Sequence, residues 1–121
     1  MSKIDDAKAI LSELEKKVPD IKGSAIIRTN GLIIVSALPA EASERMIAAM
    51  SAALLGTSKR ASESLFQGEF CSLHITINKG DLFLLESGKV ILVAMTSSEP
   101  NVGLVTLEME DASAKIKTIF E

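Results

Sequence analysis

The sequence has no tryptophan and no tyrosine, and only four phenylalanines. A surface that stacks nucleobases is therefore not expected. Basic blocks are missing as well. Thirteen Lys and Arg face sixteen Asp and Glu, with the signs mixed along the chain and a net charge of −3. Nucleic acid is not the expected partner. A single cysteine, Cys71, excludes an intrachain disulfide and a multi-cysteine zinc site. No apolar run approaches the roughly 20 residues that span a bilayer. The opening Met1-Ser2-Lys3-Ile4-Asp5-Asp6 reaches charge at once, without the apolar core of a signal peptide. These absences point to the cytoplasm and argue against direct membrane insertion. No G-x-x-x-x-G-K-[ST] or G-x-G-x-x-G occurs. Gly56-Thr57-Ser58-Lys59 shares letters with the first but lacks its leading glycine. A nucleotide hydrolase is not expected, and no cofactor is.

What is present is an ordinary globular composition, 47% hydrophobic and 24% charged over 121 residues. It predicts one folded domain over 1–121. Ile4, Ala7, Leu11, Leu14 and Val18 share a helical face, so a first helix is predicted over Lys3 to Lys17. Ser2 stands at its cap and Pro19 at its end. Two apolar runs, Ser24 to Arg28 and Leu32 to Ser36, flank Asn30-Gly31. That dipeptide predicts a hairpin with positive φ at both central positions. Glu41 to about Leu65 is proline-free and rich in alanine, a second helix. Strands follow over Glu69 to Ile77, Leu82 to Glu86 and Val90 to Thr96. The last, Val90-Ile91-Leu92-Val93-Ala94-Met95, has no polar interruption and should be central. Asn101 caps a third helix striped by Val105, Met109, Ala112, Ile116 and Ile119. The order α-β-β-α-β-β-β-α fits an α+β fold with an antiparallel sheet and helices on its faces.

The second helix is apolar on two sides. Met46, Ile47, Met50, Leu54, Ala61 and Leu65 form one face, expected to lie on the sheet. Ala48, Ala52 and Gly56 recur every four residues on the opposite face, with Leu55 beside them. Small residues there would let two backbones approach across a two-fold axis, so this face is expected to form a homodimer contact. Glu41, Arg45, Lys59 and Glu63 bracket it. An antiparallel pairing could set Arg45 against Glu63 and Glu41 against Lys59 of a second copy, although the register is open. The plainer alternative is that these alanines only raise helix propensity on a solvated face.

Catalytic constellations are not evident. His74, the one histidine, lies in a strand and alternates in direction with Cys71, which argues against a Cys-His pair. His74 is expected to be structural and Cys71 a small core residue. The carboxylates on the first and third helices read as solvated faces. No metal site and no enzyme activity are expected.

Three segments resemble the Roadblock/dynein light chain family, in the family's order and over nearly the whole chain. They are Ile21-Lys22-Gly23-Ser24-Ala25-Ile26-Ile27 with Asn30-Gly31-Leu32, Ala53-Leu54-Leu55-Gly56-Thr57-Ser58, and Asn101-Val102-Gly103-Leu104-Val105-Thr106-Leu107-Glu108-Met109. The likeness is greatest to stand-alone prokaryotic MglB-like regulators of Ras-like GTPases. It implies a five-stranded antiparallel sheet, with the second helix on one face and the first and third on the other. It also implies a dimer through the second helix and third strand, adding Phe70, Ser72 and His74 to the expected interface. Such regulators bind a small GTPase as dimers and stimulate its hydrolysis without supplying a catalytic arginine. Thr106 stands where many relatives carry a basic residue. MglB-type regulators also carry a C-terminal extension that is not seen beyond Phe120 and Glu121.

The expected function is a homodimeric adaptor that binds a Ras-like GTPase through Glu41, Arg45, Lys59, Arg60 and Glu63. Charge at such a rim steers encounter more than it anchors. The alternatives are a scaffold subunit that pairs with another Roadblock protein and a small-molecule sensor. The sensor lacks convergent polar groups for a pocket.

Overall fold

The computed structural model describes residues 2–121. Each helix starts where the sequence supplies a side-chain acceptor for its unpaired N–H groups. In α1, Lys3–Lys17, the Ser2 hydroxyl accepts from the Asp5 N–H at 3.1 Å. In α3, Val102–Ile119, the Asn101 side-chain oxygen accepts from the Leu104 N–H at 3.1 Å. The expected start of the second helix needs correction. α2 runs Glu44–Phe66, capped by Ser43, whose hydroxyl accepts from the Met46 N–H at 3.2 Å. A turn closed by the Ala42 N–H on the Pro39 carbonyl leaves Glu41 in the loop before it.

The strands are β1 (Ile21–Arg28), β2 (Ile33–Ala37), β3 (Ser72–Ile77), β4 (Gly80–Ser87) and β5 (Val90–Thr96). They form one antiparallel sheet in the order β2-β1-β5-β4-β3. The uninterrupted apolar strand β5 is central, as its pattern predicts, and β2 and β3 are the edges. The β1–β2 turn departs from expectation. Gly31 has φ +89°, but Asn30 is not left-handed. The Gly31 N–H reaches the Arg28 carbonyl, the Arg28 N–H reaches Leu32, and the Asn30 side chain accepts from the Leu32 N–H. The loop is thus three residues with a left-handed glycine at its end, and a register shift follows at Ile26/Ile27.

Alternation along the strands divides the core in two. On one side Ile26, Val35, Phe83, Val90, Leu92 and Ala94 meet Leu11 and Leu14 of α1 and Val105, Met109 and Ile116 of α3. On the other, Ala25, Ile27, Leu84, Ile91 and Val93 meet Ala48 and Leu55 of α2. Helix α2 therefore covers one face alone, and α1 with α3 covers the other.

The inward side of α2 is rotated from the one expected, of which only Ile47 and Leu54 stay against the core. Ala48, Ser51 and Leu55 are buried, while Met46, Met50 and Leu65 face outward. The reason is distance. A Cβ placed on Gly31 would stand 3.8 Å from the Ala52 Cβ and 3.7 Å from the Ala49 Cα, so the hairpin lies directly on the helix backbone. Only small side chains fit between them. Two further expectations change with the strand limits. β3 begins at Ser72 and not at Glu69, and Cys71, just ahead of it, is exposed and not a core residue.

Gly80 opens β4 with φ +154°, and a Cβ there would run into the backbone carbonyl of Thr96 on β5. Gly80→Ala is expected to cost about 1–3 kcal/mol by overpacking. Gly56→Ala, inside α2 with only the end of Arg60 nearby at 3.8 Å, is expected to stabilise by about 0.5–1 kcal/mol. Urea unfolding of both variants measures the contrast, and equal midpoints would contradict it.

Candidate functional site

The rotation of α2 exposes its bulky side chains. Met46 and Met50 are 61% and 59% exposed, and Leu65 and Phe66 at the far end are 72% and 82% exposed. Ala53 and Thr57 continue the Met46–Met50 row at helical spacing, and both are exposed. Along one flank Ile47 and Leu54 are half-buried against the core, in the same cluster as Phe70 and Leu73. That flank leads to β3, whose outer edge has no strand beside it. β3 carries no Lys, Arg, Asp or Glu, and Ile77 at its end is half exposed. The exposed α2 row and the open edge of β3 thus lie on either side of one half-buried cluster, Ile47, Leu54, Phe70 and Leu73. Monomeric proteins rarely leave such a surface uncovered.

The residues singled out from the sequence fall into different places. Ala48 and Leu55 are buried in the protomer's own core and cannot form an outer contact. Ala52 and Gly56 are half-buried on the flank beside the β1–β2 hairpin. Phe70 packs against the α2-side core, whereas Ser72 and His74 are exposed on β3. Glu41 lies in the preceding loop, and Arg45, Arg60 and Glu63 are exposed on α2. Lys59 turns toward the sheet and meets the Glu86 carboxylate of β4 at 2.9 Å. That hydrogen bond and charge hold Lys59 above the ordinary lysine range, with partial burial opposing and Glu63 assisting. A raised folded-state value means the contribution is complete below the ordinary lysine range and is lost at more alkaline pH. At 43% side-chain exposure it is small.

A second polar cluster was not legible beforehand. His74 and Asp81 stand seven apart in sequence, but the β3–β4 register brings them to one face, with His74 opposite Phe83 and Thr76 opposite Asp81. The His74 Nε2 lies 2.6 Å from an Asp81 carboxylate oxygen, and its ring stacks on Phe83 at 4.1 Å. Asp81 is almost fully buried, its side chain 4% exposed, and its other carboxylate oxygen has no hydrogen-bond partner. The histidine is thus the main support of a buried carboxylate. Among the described residues, no group of His, Cys, Asp and Glu is placed to hold a metal ion. No described helix is long and apolar enough to cross a membrane.

A three-helix protein with this sheet order, a lone helix on one face and a bare apolar strip along it defines the class. The Roadblock/LC7 domain model matches residues 8–96, and the chain belongs to that family. An uncharacterized protein of Methanocaldococcus jannaschii is 32% identical over 111 residues, covering 92% of this chain and 96% of the relative. Myxococcus xanthus MglB superposes with a TM-score of 0.89 at 23% identity, over 97% of this chain and 89% of that one. MglB in a tetrameric arrangement gives 0.88 at 16% identity, over 98% and 90%. Both likenesses establish the Roadblock fold.

Removing His74 would strand the Asp81 carboxylate. His74→Ala is expected to cost about 1–3 kcal/mol, the penalty of leaving a buried polar group unsatisfied. His74→Ala combined with Asp81→Ala should cost less than the two single changes added together. A double-mutant cycle by denaturant unfolding measures this, and strict additivity would show that the pair is not coupled.

Proposed function

We propose that this chain is a single Roadblock domain acting in the cytoplasm as a non-enzymatic, homodimeric adaptor for a Ras-like small GTPase. The observation that carries the reading is the pairing of exposed Met46 and Met50 on α2 with an unpaired β3 edge on the same side of the sheet. A second copy related by a two-fold axis would cover both by laying α2 against α2 and β3 against β3. This assignment replaces the buried Ala48–Leu55 side as the contact. The family membership and the fold shared with MglB support a regulator of small GTPases.

In such a dimer Arg45, Arg60 and Glu63 of both copies would border the paired helices, with Glu41 at the ends. An apolar centre with a charged rim suits a transient partner. Lys59, engaged by Glu86, is the weakest of these candidates.

Met50→Glu should put two like charges into the two-fold contact and give monomers by light scattering at micromolar concentration. Arg45→Glu with Arg60→Glu should leave the dimer intact and weaken binding of the Ras-like GTPase encoded by the source organism about tenfold, equivalent to about 1.4 kcal/mol. Glu13→Lys, on α1 across the sheet, should change neither. A wild type that is monomeric removes the dimer. GTPase binding lost with Glu13→Lys but kept in the arginine pair would move the docking surface to the α1–α3 side.

A further inference from the structure

An open five-stranded sheet has two edges, and the reading above uses only β3. β2, at the other end, pairs with β1 alone. Among the described residues, no backbone group of Ile33–Ala37 bonds to anything outside that pair. The strand, Ile33-Ile34-Val35-Ser36-Ala37, has no charge and no proline. Proteins usually protect an edge with lysine, proline or a covering segment. Here the next proline, Pro39, stands two residues beyond the strand.

At the Ala37 end of this edge lies an open groove of about 470 Å³, lined by Lys8, Ser12, Glu15, Lys16 and Ala37. Lys8, Ser12, Glu15 and Lys16 recur at helical spacing along one flank of α1. Neither Lys8 nor Lys16 forms an ion pair among the described residues. Glu15, the one acid of the groove, accepts a hydrogen bond at 2.6 Å from the buried Ser24 hydroxyl of β1. Its carboxylate is engaged by the sheet and bridges neither lysine, so the groove holds two ammonium groups against one carboxylate.

We propose that the free edge of β2 and the Lys8–Lys16 flank of α1 form a docking groove for an extended, acidic segment of a partner protein. The backbone edge selects the class of ligand. Evenly spaced N–H and C=O groups are matched only by another extended polypeptide, about 4.8 Å away. The lysines select its charge, because side chains on the α1 side of an added strand would pass beside both ammonium groups. Five residues of edge give about 17 Å of pairing, enough for a short segment and too little for stable pairing without the charge contacts. The groove uses neither α2 nor β3. It stays open in a dimer built on those elements, and it stands whether or not a GTPase binds there.

The test uses the full chain, isotopically labelled, with two synthetic octapeptides of alternating sequence, (Val-Glu)4 and (Val-Lys)4. The acidic peptide is expected to bind, to slow amide exchange across Ile33–Ala37, and to shift the amides of Lys8, Ser12 and Lys16. The basic peptide is expected not to bind. Lys8→Glu with Lys16→Glu, both at exposed α1 positions, should weaken the acidic peptide at least tenfold and admit the basic one, with the fold and oligomeric state unchanged. Three results would overturn the proposal: no binding of (Val-Glu)4 at millimolar concentration, equal binding of both peptides, or binding whose protection falls on β3 and not on β2.

Discussion

The rest of the structure depends on how closely α2 lies against the sheet. One helix must shield a face on which Ala25, Ile27, Leu84, Ile91 and Val93 are buried. It does so by burying Ala48, Ser51 and Leu55, while the small side chains of Ala48, Ala49 and Ala52 let the hairpin at Gly31 rest against the helix. Close approach gives dense dispersion contacts over a small footprint. It also forces the methionines of the same helix to the outside. The opposite face has two helices and needs no such economy. There Leu11, Leu14, Val105, Met109 and Ile116 fill the space with bulk.

That difference explains what could be read from the sequence. α1, α3 and β5 each carry one unambiguous pattern, and their limits and burial followed from it except at Ile4, which is exposed at the start of α1. The stripes Ala7–Leu11–Leu14 and Val105–Met109–Ala112–Ile116 are buried as their spacing requires. α2 carries two apolar faces, and periodicity cannot rank them. Ranking by side-chain size favours the methionine face. What decides is the β1–β2 turn at Gly31 seated on the Ala48–Ala49–Ala52 side of the helix, a tertiary contact that no window of the sequence contains. The same rotation moved Lys59 from the outer rim to the sheet side, where it meets Glu86, twenty-seven residues away.

The His74–Asp81 pair was hidden for a different reason. Neither residue belongs to a motif, and their contact exists only because the β3–β4 register sets Thr76 opposite Asp81 and His74 opposite Phe83. A one-residue slip would send every side chain of β3 to the other face. His74 would then point toward α2 and leave a buried carboxylate without its partner. The pair therefore adds to the register already set by the alternation of Ser72, His74 and Thr76 with Leu73, Ile75 and Ile77. The edge that most needs a fixed register is the one where it is locked by a polar contact.

The two edges differ in what lies beside them, and that difference sets what each can bind. β3 borders the half-buried cluster of Leu73, Phe70 and Leu54, with exposed Met50 on its other side. Covering it requires an equally apolar partner, and a self-complementary face satisfies that requirement with one sequence. β2 borders the charged flank of α1, with Lys8 and Lys16 unpaired beside the strand. A second copy laid there in a two-fold arrangement would bring those lysines toward their own equivalents, and like charges oppose such a contact. Two β3 edges can close on each other and be used up. At β2 the lysines disfavour a second copy and favour a segment of opposite charge.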